Sequence, residues 1–320
     1  MRVLVTGGAG YIGSVLVSLL DRDDRVDRVR VLEDFSSGSP RAFLGSLSET
    51  VEVRHGDVTE YGDVEAAARD CRAVIHLAAI TGAASTHDRR EETFAVNRGG
   101  TETVLRAAGT LGADTVVFAS SCNCYGRATS TDLDETVDPD PVNPYAETKL
   151  EGESLMREAA TEFDFDATAL RMSTVYGRAP GMRFNLVVNH FVFRALTGRP
   201  LTVYGDGSNW RPFVHVHDAA RAYRHAALAP DEWPRSVYNV GSGPENYRIE
   251  EVAEVVADEV APVDVTYLED EQPGPSYHVN FDRLRETGFA TEWTLREGVR
   301  DLAAAFRPGG RAATGGPRRR

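Results

Sequence analysis

The sequence predicts an α/β protein: a doubly wound parallel sheet followed by a smaller C-terminal α/β lobe. Three observations predict it. Short apolar, β-branched runs alternate with helix-length stretches through the first 172 residues, the pattern of a parallel sheet. The first run ends in Gly7-Gly8-Ala9-Gly10-Tyr11-Ile12-Gly13, a glycine-rich turn that opens a helix. After Met172 the alternation loosens and Gly/Pro-rich segments intervene.

Taken in order, the candidate strands are Arg2–Thr6, Val29–Glu33, Val51–His55, Ala73–Leu77, Thr115–Ser120 and Ala167–Met172. Between them lie the helical stretches Tyr11–Leu20, Asp63–Arg69, Glu91–Leu111 and Tyr145–Glu162. Ser173–Arg183 is Gly/Pro-rich and reads as irregular. Then follow a helix (Asn185–Thr197), a strand (Leu201–Tyr204), a Gly/Asn turn, a strand (Pro212–His215) and a helix opened by Asp218. Val237–Val240 reads as a strand and Ile249–Val260 as a helix. The expected division is residues 1–172, with later segments of about 213–242 returning to the sheet, and a lobe over 173–306. Residues 307–320 are Gly/Pro/Arg-rich and read as a disordered basic tail.

Composition narrows the function classes. The 320 residues are 42% hydrophobic and 26% charged, which excludes global disorder. No apolar run approaches a membrane span. Three cysteines (Cys71, Cys122, Cys124) and no secretory leader lead to an expectation of reduced thiols and a cytoplasmic location. Net charge is −14, and the last fourteen residues carry five Arg and no acid, so the body is more acidic still. Such a body repels nucleic acid and anionic membrane, and neither is an expected partner. Lys149 is the single lysine among 35 basic residues. Two readings of that composition stay open: a cytoplasm of very high salt, where self-repulsion is screened, or the Arg codons of a high-GC genome.

The glycines at Gly7, Gly10 and Gly13 follow a strand and precede a helix, the context a dinucleotide site requires. Glycine permits the tight turn and close approach to a pyrophosphate. The helix N-terminus, with the amides of Tyr11 and Ile12, offers free N–H groups and partial positive charge. Glu33, twenty residues beyond Gly13, ends the second strand, where a carboxylate accepts ribose hydroxyls and repels a 2′-phosphate. No Arg in the glycine loop offsets it, so the expected cofactor is NAD. Asp34, Phe35 and Ser36 follow as a turn suited to wrap the adenosine. Asp57-Val58 is placed to reach the adenine, and Asp57 equally fits helix capping.

Tyr145 and Lys149, four apart in Pro144-Tyr145-Ala146-Glu147-Thr148-Lys149, share one helix face. A tyrosine titrates near 10 and is a poor base at neutral pH. A nearby ammonium is expected to lower that value, and three pH units take about 4 kcal/mol. Such a phenol exchanges a proton with a substrate hydroxyl while hydride moves to or from a nicotinamide. That Lys149 is the only lysine sharpens the reading, because Arg cannot replace a compact ammonium. Ser120 and Ser121 close the fifth strand. The expected roles are a substrate hydrogen bond for Ser121 and a nicotinamide contact for Ser120.

These motifs together resemble the extended short-chain dehydrogenase/reductases, specifically the NAD-dependent epimerase/dehydratases of nucleotide sugars. The resemblance runs from Arg2 to about Phe306 and includes His76-Leu77-Ala78-Ala79, Asn97, Leu170–Gly177 and Arg211–Asp218. It implies a Rossmann-type domain plus a substrate lobe, and a homodimer through Glu91–Leu111 and Tyr145–Glu162. It adds Leu77, Ala78, Ala79 and Asn97 to the cofactor site, reads His76 as structural, and implies no metal. It places Arg211 on the diphosphate, Tyr204 against the nucleobase, and Thr174, Asn185 or Asn189 along the sugar or phosphate.

Family 4,6-dehydratases carry Asp-Glu after the catalytic hydroxyl, whereas this chain has Cys122-Asn123, with no acid to protonate a leaving hydroxyl. The resemblance therefore implies an NAD-dependent epimerase acting at C4 through a transient 4-keto intermediate. A nucleotide-sugar 4-ketoreductase uses the same apparatus and stays open, as does a catalytically silent dinucleotide sensor. Cysteine-assisted carbon epimerisation fits less well, since the expected cysteine position holds Asn123, flanked by Cys122 and Cys124. Gln272 stands where relatives carry a second phosphate-binding Arg, which weakens the expectation of a UDP-hexose.

Overall fold

The computed structural model describes residues 1–43, 48–82, 85–127, 132–268 and 274–307. Gln272 and the tail beyond Arg307 lie outside the described residues. In chain order the strands are β1 (Arg2–Thr6), β2 (Arg28–Glu33), β3 (Val51–His55), β4 (Ala73–His76), β5 (Thr115–Ser121), β6 (Asp166–Met172), β7 (Thr174–Tyr176), β8 (Leu201–Tyr204), β9 (Trp210–His215), β10 (Val237–Val240), β11 (Asn246–Arg248) and β12 (Val265–Leu268). The helices are α1 (Tyr11–Leu20), α2 (Tyr61–Ala68), α3 (Arg90–Phe94), α4 (Gly100–Thr110), α5 (Pro144–Phe163), α6 (Val187–Leu196), α7 (Val216–Leu228), α8 (Ile249–Glu259), α9 (Asp282–Glu286) and α10 (Leu295–Phe306). A π-helical turn, Ala95–Gly99, joins α3 to α4.

Seven strands form one parallel sheet in the order β3-β2-β1-β4-β5-β6-β10. Strand order reverses between β1 and β4, which opens a crevice at the carboxyl edge where α/β sheets hold ligands. The period-2 alternation of side chains explains both layers. Val3 and Val5 join the apolar cluster under α1 and α7, whereas Leu4 joins the one under α2, α4 and α5. Val29 and Val31 divide from Leu32 in the same way, and Val117 from Val116 and Phe118. Each of these fully buried side chains contributes roughly 1.5–3 kcal/mol. A third cluster, built from α6, α8, α10, β8 and β9, forms the core of the smaller lobe.

The elements of the first half match the sequence reading within two residues, except that the single helix read over Glu91–Leu111 is α3, a π-helical turn and α4. The second half needs corrections. Ser173–Arg183, read as irregular, contains β7, which pairs with β9 through Thr174–Phe213 and Tyr176–His215. Three β-prone residues before Gly177 are too short a run to stand out, and only the partner strand makes them a strand. Of the segments near 213–242, β10 joins the main sheet beside β6, while β9 stays in a small sheet with β7 and β11. The helix expected to open at Asp218 starts at Val216, capped by His215. Asp218 instead accepts the backbone amides of Glu292 and Trp293, at 2.9 Å each. No helix among the described residues is long and apolar enough to cross a membrane.

Candidate active site

The glycine turn is built to its purpose. Gly7 adopts φ +70°, and a Cβ on Gly13 would lie 2.3 Å from the Gly7 carbonyl oxygen. Neither position has room for a side chain. Helix α1 begins at Gly10 without a side-chain cap and without an acid in its first turn, so its first amides, Tyr11 and Ile12 included, remain available to an anion. The cradle therefore fits a pyrophosphate. The Tyr11 side chain faces elsewhere: its hydroxyl donates to the Gly177 carbonyl and accepts from Asn189 Nδ2.

Glu33 is buried, and burial raises its carboxyl above the usual range. Its oxygens accept the amides of Ala9 (2.8 Å) and Phe35 (3.3 Å), tying the glycine turn to the end of β2. Each oxygen keeps a second lone pair for a ribose hydroxyl. Asp34 closes a turn on Ser36, and Phe35, at φ 58°, stacks on His55. Asp57 accepts Thr59 N and Oγ1 in a tight turn and does not cap α2, whose N-cap is Glu60. Val58 is buried against Gly100. Leu77, Ala78 and Ala79 line the edge beyond β4, with the Ala78 amide donating to Thr6 Oγ1 (3.2 Å) and Ala78 packed against Gly7. His76 lies between Thr6 and Thr101 and is pushed down to about 3 by burial, a neutral structural imidazole. Asn97 has its amide engaged by Ile80 N and O and by Thr148, so it holds the cleft wall to α5.

Asn143 caps α5 by accepting Ala146 N, Pro144 occupies the first turn, and Tyr145 and Lys149 follow. The helix lies close on β5 because Gly152 faces Phe118, where a Cβ would sit 2.4 Å from the ring. Lys149 is 3% exposed, with Nζ 4.9 Å from the Phe118 ring centre and 5.7 Å from that of Tyr145. Burial raises the Tyr145 phenol, and the Ser121 hydroxyl at the end of β5 opposes that shift. Ser121 Oγ also caps the turn after β5, accepting Asn123 N. Asn143 Nδ2 donates to Asn123 Oδ1 at 2.9 Å, so one bond joins the serine turn to the start of the tyrosine helix. Sequence reasoning missed that link, although an Asn before Pro-Tyr is a visible helix-cap signal.

One expectation about this centre is corrected. Ser120 does not face the cleft: its hydroxyl donates to buried Glu153 at 2.5 Å. It shares the parity of Phe118 and points to the α5 face, while Ser121 points to the other. Lys149 lies one turn along α5 from the phenol, with Nζ 5.7 Å from the Tyr145 ring centre. Burial lowers the ammonium itself to about 7, and the Tyr145 phenol is raised by burial, opposed by Ser121 and Arg183. Burial likewise pushes both nearby thiols up, Cys124 to about 12. They stay protonated at neutral pH, which removes the activated thiolate that cysteine chemistry would use.

A buried cation lacking a carboxylate costs stability, which yields a test. Lys149→Met is expected to stabilise the cofactor-free protein by on the order of 4 kcal/mol near pH 6.5. The unfolded lysine binds its proton up to about 10.4 and the folded one only to about 7, so the penalty is complete below 7 and fades as pH rises between these values. Denaturant titration should show a larger gain at pH 6.5 than at 9.5. A variant equally or less stable at pH 6.5 would contradict the burial argument.

In the smaller lobe Arg211 lies 4.5 Å from the Tyr277 ring centre, hydrogen-bonds the Trp210 carbonyl and has no carboxylate partner among the described residues. Gly274 leaves it room: a Cβ there would lie 2.8 Å from Nη2. Tyr204 ends β8 and is 56% exposed, available for stacking. Thr174 opens β7. Asn185 is exposed and accepts from Arg183 Nε at 3.4 Å. Asn189 departs from its expected role, because its amide is engaged by Gly177 N, Tyr11 Oη and the Arg183 carbonyl. It clamps the loop after β7 onto α1.

A glycine cradle at a strand-order reversal, an acid closing β2 and a Tyr/Lys pair beside a strand-end serine define the class: a dinucleotide-binding α/β protein with a proton-transfer centre. The comparisons carry this to the family. The NAD dependent epimerase/dehydratase family model matches residues 3–241, and the chain belongs to that family. It is 28% identical to the low-salt glycan biosynthesis protein Agl12 of Haloferax volcanii over 93% of this chain and 96% of that one. It is 31% identical to a UDP-glucose 4-epimerase of Azospirillum brasilense over 89% and 85%. Among solved structures, the Thermus thermophilus UDP-glucose 4-epimerase in complex with NAD matches with a TM-score of 0.83 at 29% identity, over 97% of this chain and 100% of that one. A dTDP-glucose 4,6-dehydratase of Streptomyces venezuelae, with NAD and TYD bound, matches with 0.85 at 26%, over 97% and 98%. Backbone likeness thus spans both chemistries, and side chains must separate them.

Proposed function

We propose that the chain is an NAD-dependent epimerase of a nucleotide-diphospho-sugar, acting at C4 with no net redox change. The observation that carries this reading is the Tyr145/Lys149 pair on α5, with Ser121 ending β5 and no carboxylic acid in the following turn, Cys122–Tyr125. Tyr145 accepts the proton of the sugar hydroxyl and later returns it, and Ser121 holds the oxygen between those steps. Bound NAD would supply reversible hydride chemistry at the sugar carbon. The α1 amides would hold its pyrophosphate, Glu33 and Phe35 its adenosine, and Lys149 its nicotinamide ribose. Arg211 pairs with the substrate diphosphate and Tyr204 stacks on the base. An elimination needs an acid beside the departing hydroxyl, and the protonated Cys122 and Cys124 thiols and neutral Asn123 supply none.

The proposal assigns residues 1–172 and β10 to cofactor binding and the remainder up to 306 mainly to the substrate. It includes a homodimer seated on Glu91–Leu111 (α3 through α4) and α5, and a cytoplasmic protein suited to high salt; light scattering at low and high salt tests both association and salt dependence.

The purified protein should contain NAD or NADH by mass spectrometry, and it should convert one nucleotide sugar into its C4 epimer with catalytic cofactor. Stoichiometric NADH consumption would instead establish a ketoreductase. Absence of cofactor affinity together with absence of turnover would leave neither enzyme reading standing.

A further inference from the structure

Residues 177–186, the loop between β7 and α6, lie against the glycine turn. A Cβ on Gly181 would sit 2.6 Å from the Gly10 carbonyl oxygen and 2.8 Å from that of Ala9, so backbone meets backbone with no side chain between. The Gly181 amide donates to Ser14 Oγ on α1 at 3.1 Å. Two residues on, Arg183 Nη1 donates to Thr81 Oγ1 at 2.7 Å. Thr81 follows Ala78, whose backbone packs on Gly7 at the other flank of the turn. The loop therefore runs from Gly10 to the segment beside Gly7 and joins the two flanks of the pyrophosphate cradle. It carries Arg178 and Arg183 and no acid, a charge that suits a pyrophosphate.

The loop is held unequally along its length. Toward the smaller lobe, Phe184 packs on Phe193 of α6 and Phe306 of α10, with ring centres 5.3 and 5.7 Å apart. Asn189 of α6 accepts Gly177 N and donates to the Arg183 carbonyl, each at 2.9 Å. Met182 is shared between the apolar cluster under α1 and that of the lobe. Toward the cofactor side, residues 181–183 are fastened by the hydrogen bonds to Ser14 and Thr81 alone, without an ion pair among the described residues. Single hydrogen bonds exchange with water at modest cost, whereas the aromatic anchor does not, so the loop opens first at Gly181–Arg183.

We propose that residues 177–186 are the outer wall of the dinucleotide site, and that the Arg183–Thr81 hydrogen bond is a latch that must open before NAD enters or leaves. With the latch closed, the loop and the segment after β4 hold the cradle from both sides. With it open, the loop stays on the lobe through Phe184 and Asn189 and leaves the glycine turn. The inference needs the cofactor and is independent of the C4 reading.

The test follows cofactor exchange in the full-length protein by NADH fluorescence. Release is read by chasing the NADH-loaded protein with excess NAD, and association by mixing NADH with protein stripped of cofactor. Thr81→Val keeps every charge and removes the latch, so both rates should rise, each by about tenfold. Thr81→Ser keeps the hydroxyl and should leave both near wild type. A residue that merely touches bound NAD would, when lost, speed release alone, and that result overturns the latch. Unchanged rates in Thr81→Val overturn it as well. Should Thr81→Val not fold, hydrogen exchange in the wild-type protein decides. The amides of residues 181–183 should exchange more slowly with saturating NAD, and equal exchange with and without NAD overturns the proposal. A wild-type chain that takes up no NADH overturns it together with the cofactor assignment. A chain that shows the expected exchange but epimerises no sugar sinks the functional reading and leaves the latch in place.

Discussion

Tyr145→Phe should leave the fold and cofactor affinity unchanged and cut kcat by about 10³-fold. The substitution removes one hydroxyl from a half-buried ring on the first turn of α5, and that hydroxyl makes no bond on which the fold depends. Asn143 still caps the helix, and Gly152 still seats it on Phe118. What disappears is the group that takes the sugar proton. Without it an alkoxide must form unaided, and the lost general-base contribution appears in kcat rather than KM. Fluorescence titration with NADH separates binding from turnover. A variant retaining more than about a tenth of wild-type kcat would move the proton-transfer role to another group.

Glu153→Gln should be the most destabilising single change near the site. Glu153 and Arg171 form a two-pronged ion pair, with Nε and Nη2 each 2.9 Å from a carboxylate oxygen, and both side chains are buried. Arg171 Nη1 also donates to Tyr125, whose hydroxyl meets Asn239 on β10 at 2.8 Å. Ser120 completes the set through its bond to Glu153. Removing the negative charge leaves a guanidinium buried without compensation, a loss of about 3–5 kcal/mol. For a chain of this size the Tm should fall by roughly 5–10 °C. Glu153→Met combined with Arg171→Leu should recover much of that loss, because replacing both partners removes the desolvation cost along with the attraction. A double variant no better than Glu153→Gln would show the pair to be net stabilising.

The contrast between Ser120 and Ser121 shows how far the sequence can be read. Parity along β5 was already present in the letters: Ser120 falls in step with Val116 and Phe118, Ser121 with Val117 and Ala119. Taking both as cleft-facing overlooked that alternation. The partner of Ser120 was not legible, because Glu153 lies 33 residues away on another element. Asn189 and Asn97 teach the same lesson. Their amides suit a ligand, and the structure uses each to fasten a loop.

The sequence by itself determined the parallel sheet, the glycine cradle, the acid closing β2 and the Tyr/Lys spacing. These follow from local rules: side-chain period, backbone freedom at glycine and helix geometry act within a few residues. Only the tertiary structure decided the electrostatics of the centre. Burial lowers the Lys149 ammonium to about 7 and raises the thiols, and the fold joins Arg183 to Thr81 across about a hundred residues of chain. Desolvation and Coulomb forces depend on what lies around a group in space, and neighbours along the chain do not encode that.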